Sequence, residues 1–181
     1  MALTKLNYTG QGVLPTTSMP TGSVLQTKQT VQNLFLDMVC SGSNLTDISG
    51  FSVSITPTST SSKILITYSI NVGYYNNWNG IGFVLCKGST PITNAIGNAS
   101  GRGNRHPVTT SGGGGNTYHM TIETFSFLDS PATTSATTYS VKIRDFNGDG
   151  GKAYLNGSAT TNDSTNLPRG SSTITVQEIK Q

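Results

Sequence analysis

The sequence predicts an all-β domain, a sandwich or barrel of about eight short strands. Three observations predict it. Apolar and polar residues alternate with period two from about Ser23 to the C-terminus. No 11-residue window carries a capped 3.6-residue period, so helix is nearly absent. Gly-, Asn-, Pro- and Ser-rich turns separate the alternating runs at short intervals.

Residues 1–22 differ from the rest. Gly10, Gly12, Pro15 and Pro20 punctuate a polar run with isolated apolar residues, and such a segment cannot bury enough surface to fold alone. It reads as a leader or as an extended N-terminal arm that is ordered by lying on another chain, anchored by Leu3, Leu6, Tyr8, Val13 and Leu14. The arm reading is preferred, and residues 23–181 then form the β-sandwich domain. The clearest strand is Lys63 to Val72, where Ile64, Ile66, Tyr68, Ile70 and Val72 share one face and Thr67, Ser69 and Asn71 the other. The same pattern covers Phe51, Val53 and Ile55; Ile81, Phe83 and Leu85; Tyr118, Met120 and Ile122; Tyr139, Val141 and Ile143; and Ile174 with Val176. In Thr124 to Leu128 the apolar phase slips relative to Tyr118–Ile122, which predicts a β-bulge or a crossing between sheets. Asn79-Gly80, Asn147-Gly148 and Asn156-Gly157 supply residues tolerant of positive φ at tight β-connections.

Of 181 residues, 34% are hydrophobic and 10% charged. The low charge separates the chain from the highly charged disordered class, and the small apolar content implies a thin two-layer core or one completed by identical neighbours. A formal charge of +3 comes from eleven Lys and Arg scattered against eight Asp and Glu. That is too sparse for a phosphate-backbone footprint, so nucleic acid is not an expected partner. No stretch approaches the ~20 apolar residues of a membrane span, and the N-terminus lacks a signal-peptide run. The two cysteines, Cys40 and Cys86, fall at apolar strand positions outside any metal-binding spacing and read as two buried thiols.

Catalysis needs converging titratable groups, and the candidates are two histidines, His106 and His119, and unpaired acids. His119, between Tyr118 and Met120, reads as a residue on the polar face of a strand. The chain is therefore expected to be a non-enzyme that needs no cofactor. Asp145-Phe146-Asn147-Gly148-Asp149-Gly150 matches the opening of a calcium loop. The twelfth position, which should carry a bidentate acid, holds Asn156, and the flanks read as strands. Asp145, Asn147 and Asp149 are thus weak metal candidates, and a glycine-rich loop with Asx-turns is preferred. Tyr74, Tyr75 and Trp78 interleave with asparagines beside Gly80, a chemistry suited to sugar rings or a protein partner; packing at the end of the sandwich is the open alternative. A long glycine-rich loop, Gly97 to Gly115, carries Arg102 and Arg105 and is the second candidate for partner or receptor binding.

Several stretches resemble small virion structural proteins of tailed bacteriophages, in particular those of marine and cyanobacterial phages. They are Met1 to Gly12, Pro20 to Gln26, Ile55 to Ile66, Phe127 to Thr134, Thr138 to Lys142 and Ser172 to Ile179, and together they span nearly the whole chain. The resemblance implies a jelly-roll β-sandwich, TNF-like, that assembles as a homotrimer within the virion. It would serve as a tail-fibre or appendage subunit mounted through its N-terminal arm, with a trimeric capsid decoration protein as the alternative. The expected partners are further copies of itself, other virion proteins and a host-surface glycan or protein. From a different class, a carbohydrate-binding module would use Tyr74, Tyr75 and Trp78.

Overall fold

Wherever β-branched and aromatic residues recur at every second position, the chain is extended and pairs with a neighbour. The computed structural model describes residue 15 and residues 18–40, 44–74, 80–101, 106–112, 117–146, 151–159 and 167–181. Among these, eleven strands form: β1 (Val24–Gln32), β2 (Leu36–Val39), β3 (Thr46–Ile55), β4 (Lys63–Tyr74), β5 (Ile81–Lys87), β6 (Thr90–Pro91), β7 (Thr110–Gly112), β8 (Thr121–Asp129), β9 (Thr137–Asp145), β10 (Lys152–Leu155) and β11 (Ser172–Ile179). The described residues contain no α-helix; a 3-10 turn lies at Thr93–Ala95.

Eight strands make the framework. β1-β11-β4-β8 form one sheet and β3-β9-β5-β7 the other, every pairing antiparallel. This alternation between sheets is a jelly roll, as expected. β2, β6 and β10 are short additions. β10 takes over the β4 edge at Val72–Tyr74, beyond the end of β11 at Ser69, and β2 pairs with β10. β6 continues the line of β7 along β5.

The core lies between the sheets. Ile64, Ile66, Tyr68, Ile70 and Val72 are each at most 1% exposed. They meet Phe51, Val53 and Ile55 of β3, Ile81, Phe83 and Leu85 of β5, and Tyr139, Val141 and Ile143 of β9. Each such side chain contributes about 1.5–3 kcal/mol by leaving water. Cys40 and Cys86 are both buried free thiols. Burial, and for Cys40 the nearby Asp145 carboxylate, pushes each up to about 11.

Three expectations change. β8 begins at Thr121, so Tyr118, His119 and Met120 lie outside a strand, and Ile122 faces out at 62% exposed. The inward face is instead Glu123, Phe125, Phe127 and Asp129, facing across from the polar outer row. The pairing of β8 with β4 runs without a shift from Ile64↔Asp129 to Val72↔Thr121. The apparent phase slip is therefore no bulge; the Tyr118–Ile122 alternation belongs to the connection before the strand. Irregularities sit elsewhere, in β1 between Val24 and Gln26 and in β3 between Asp47 and Ser52, where Gly50 takes a φ of 69°. Finally, the segment read as a loop from Gly97 to Gly115 includes β7, which completes the β5 edge, and Val108, which covers Gly82 so closely that a Cβ there would be 2.3 Å from its methyl group.

Polar side chains close the open side between β1 and β3. Gln26 donates to the Thr56 carbonyl (2.7 Å), Thr30 to Ser52 (2.7 Å) and Gln32 to Ser49 (3.0 Å). β1 thus looks polar on both faces because its inward residues satisfy main-chain carbonyls of β3 and its flanking turns. Asn156 performs the same task at one end of the sandwich. It is fully buried at φ 59°, bearing out the Asn156-Gly157 turn. Its Nδ2 donates to the carbonyls of Gln32 (2.7 Å) and Leu34 (3.0 Å), and its Oδ1 accepts from Ser172 Oγ (2.7 Å). Ser172 Oγ in turn accepts from Asn71 N–H (3.0 Å). One side chain ties β1, β4 and β11 together.

Asn156→Ala removes the donor to two carbonyls and the acceptor of the Ser172 hydroxyl, and puts alanine where asparagine tolerates a positive φ better. It is expected to cost about 3 kcal/mol. Asn156→Gly relieves only the backbone conformation, so in urea unfolding it should recover a minor part of that loss.

Candidate functional site

The strand register gives the sandwich two poles. At one, Val24 pairs with Ile179, Lys63 with Ile179, Ile64 with Asp129 and Ile55 with Thr137. The entry into β1 and the exit from β11 lie here: Gly22 N–H donates to the Lys180 carbonyl (2.8 Å), and Lys180 N–H to Ser23 (2.9 Å). Lys180 Nζ also donates to the Met19 carbonyl. At the opposite pole, Val72 pairs with Thr121, Ala153 with Tyr74, Ile81 with both Asp145 and Gly112, and Lys152 with Val39. The connections after Val39, Tyr74, Gly112, Asp145 and Leu155 all leave from this end.

Buried polar groups fix the terminal pole. Glu178 is fully buried beneath the turn Pro57–Ser62. Its Oε1 accepts from Thr58 N–H and Oγ1 (both 2.7 Å), and its Oε2 from Gln26 Nε2 (2.7 Å). Burial by itself would raise this carboxyl, but the donors Gln26, Ser62 and Thr58 outweigh it and hold Glu178 below the ordinary value. Across the same pole, Lys87 Nζ lies 3.0 Å from Asp129 Oδ2, which also accepts the Tyr139 hydroxyl (2.7 Å). This links β5, β8 and β9, and burial together with the Asp129 carboxylate raises the Tyr139 hydroxyl far above a free tyrosine.

The outer face of β1-β11-β4-β8 joins the poles. It reads in rungs across the four strands: Val31–Thr173–Ser69–Thr124, Gln29–Thr175–Thr67–Ser126 and Thr27–Gln177–Leu65–Leu128. No rung contains a charged residue. Side chains cross-link along them, Gln29 Nε2 to Thr175 Oγ1 at 2.8 Å and Thr67 Oγ1 with Ser126 Oγ at 3.1 Å. Val31, Ile122 and Leu128 stand 56%, 62% and 45% exposed at its corners. The second sheet differs, carrying on its outer side the Lys142–Asp47 ion pair (2.9 Å) and Arg144.

The residues singled out from the sequence fare unequally. Tyr74 is not an exposed loop residue: it ends β4, is 6% exposed, and its hydroxyl donates to Glu123 (3.3 Å). Burial and the Glu123 carboxylate push that hydroxyl far up. Core packing, not ligand contact, is its role, because the alternation of β4 continues two residues beyond Val72 and carries Tyr74 inward. Tyr75, Trp78, Arg102, Arg105, Asn147 and Asp149 lie outside the described residues, as do the arm residues Leu3, Leu6, Tyr8, Val13 and Leu14. Asp145 is buried, and its Oδ2 accepts from Gly151 N–H (2.8 Å), closing the base of its loop. His106 stacks on Phe146 with centroids 6.0 Å apart. Among the described residues no cluster of three His, Cys, Asp or Glu is placed to hold a metal ion. Sequence reading missed Glu178, Asp129 and the uncharged rungs. The first two are lone acids within alternating runs, and the rungs emerge only once the register is known.

Glu178 gives a pH test. With a lowered folded value, its contribution is fully present above the ordinary 4.5 and is lost as the pH falls through that lower value. Glu178→Gln should lower stability at pH 7 by about 1–3 kcal/mol and flatten the acid limb, read from urea midpoints at neutral pH and near pH 3. The Asp145 loop gives a second test. Its carboxylate is already engaged by main chain, so millimolar calcium should leave the melting temperature where excess chelator leaves it. A rise abolished by Asp149→Ala would establish a metal site.

No family model matches the chain, and no curated protein is similar to it. Among solved structures, a chain from the structure of infectious bursal disease virus Gt strain is similar with a TM-score of 0.46 and 12% identity. The similarity covers 86% of this chain and 38% of that one, so the chain spans well under half the length of this neighbour.

Proposed function

We propose that this chain is a non-enzymatic structural subunit of a tailed-phage virion, trimeric and mounted through its N-terminal arm as part of a fibre or appendage. The observation that carries the reading is the separation of the poles. The chain enters the sandwich beside its own C-terminus at one end, while the connections after β2, β4, β7, β9 and β10 leave from the other. An attachment point and a display surface belong at opposite ends of a rigid spacer, and a strand of twelve residues such as β4 provides about 40 Å of it. The sequence resemblance supplies the particle. The described side chains are consistent with a scaffold: Glu178, Asp129, Tyr139 and Tyr74 are committed to hydrogen bonds that hold strands together.

Removing residues 1–14 should leave the β circular-dichroism signal and the melting temperature intact while abolishing incorporation into particles, measured by immunoblotting of purified virions. Normal incorporation of the truncated chain would refute mounting through the arm. A density map of the particle distinguishes an appendage from a head-decoration site.

A further inference from the structure

We infer that the uncharged outer face of β1-β11-β4-β8 is the surface on which a second copy of this chain docks, through a polar, hydrogen-bonding contact and not through ion pairs. The inference rests on the reading of the chain as a self-assembling subunit and says where its copies meet.

Charge is the first argument. A solvated strand face ordinarily carries Lys or Glu, which keep it soluble and deter unwanted pairing. Here three successive rungs across four strands carry none, while the outer side of the second sheet carries the Lys142–Asp47 pair and Arg144. Depletion of charge distinguishes the centre of an interface from ordinary surface. On these four strands Lys63, at the terminal end of β4, is the one charge that shares the orientation of this face, and it sits at the rim opposite Ile179; in the same sheet Asp37 of β2 and Lys152 of β10 share that orientation beyond the loop end of β4.

Area is the second. Four strands about 4.8 Å apart and eight residues long span on the order of 500 Å² in projection. With side-chain relief this approaches the ~800 Å² per partner of a stable interface. The exposed corners Val31, Ile122 and Leu128 supply apolar anchors around a centre of threonine, serine and glutamine. The edge of the face is formed by β8. β8 pairs with β4 on one side, and among the described residues no other strand pairs with it. Over its nine residues it has no proline or bulge, and its two charges, Glu123 and Asp129, point inward, leaving the outward row uncharged.

A second copy is the occupant because nothing in this surface selects for a partner of opposite charge, and because its area and its hydroxyl and amide groups, which both donate and accept, suit an interface between identical copies.

The test uses the full chain with the paired substitution Thr67→Lys and Thr175→Lys, which brings like charges into the middle rung of each copy. Sedimentation velocity should show an oligomer for the native chain. The variant should give a species near the monomer mass of 19.0 kDa with its β signal retained, self-association being weakened at least ~100-fold. Native association should change little between about 0.05 and 0.5 M salt, since no ion pair is screened. If the double variant fails to fold, Ser126→Lys at the exposed edge replaces it, with the same expected dissociation. Ser54→Lys, on the other sheet, should leave assembly unchanged. A monomeric native chain, or an oligomer unaffected by charge on this face, overturns the inference. A chain that assembles as expected yet never enters particles would refute only the virion reading.

Discussion

The structure depends on one strand, β4, being paired along both edges while one of its faces is completely dry. β8 occupies one edge along nine residues; β11 and then β10 share the other. A strand paired on both sides has no free backbone groups to solvate, so its Ile64, Ile66, Tyr68, Ile70 and Val72 can be removed from water without stranding a donor or acceptor. Every other element is positioned by that arrangement. β9 and β5 supply the opposing face, β1 extends β11, and the hand-over from β11 to β10 forces the chain through Asn156. Gly73 is required at that crossing, because a Cβ would lie 2.5 Å from the Gly157 carbonyl oxygen.

A chain with few apolar and few charged residues has to be held by neutral polar groups, and this one uses them where two open sheets are weakest. At the β1 side, glutamine and threonine reach the carbonyls of β3 and its flanks. At the β7 side, the Tyr68 hydroxyl meets Thr110 at 2.9 Å and Tyr74 reaches Glu123. At the poles, Asn156 collects several partners, and the charged Glu178 carboxylate is held by neutral donors of Gln26 and Thr58. A neutral side chain bonded to main chain is worth about 1 kcal/mol, but leaving its buried partner unsatisfied costs more. The arrangement therefore specifies how the sheets are placed more than it adds to total stability. The abundance of Ser, Thr, Asn and Gln thus has a structural cause that composition alone does not disclose.

The alternating strands were legible because burial on one face writes a period of two into the sequence. Phe51 to Ile55, Ile64 to Val72, Tyr139 to Ile143 and Ile174 to Val176 all lie as that period requires. It misleads where burial is two-sided or absent. In β5, Val84 and Cys86 are as buried as Phe83 and Leu85, because the outer side of that strand is covered as well. In Tyr118 to Ile122 alternation occurs without burial. β2 and β7 were illegible because strands of three or four residues are defined by the neighbour whose edge they complete. Tyr74 was misjudged for a related reason: beside Tyr75 and the asparagines it looks like loop, and only its register with Ala153 shows that it still belongs to the core.

The polarity of the sandwich and the location of its uncharged face constrain each other. That face lies parallel to the strands, hence parallel to the line joining the poles. Cyclic assembly through it, about an axis running along the strands, sets every terminal pole on the same side and every loop pole on the other. A head-to-tail contact between poles would instead bury one set of loops and separate the N-termini. If the N-terminal arm is the mount, grouping the entries into β1 matters, because a short segment with a handful of apolar anchors would bind weakly by itself. Several such arms held at a fixed spacing raise the effective concentration of each for its neighbouring site, so overall attachment exceeds what a single arm supplies, by factors on the order of 10²–10⁴. Association through the lateral face is what would turn a weak arm into a secure mount, and it would leave the loops at the opposite pole free to vary without disturbing either contact.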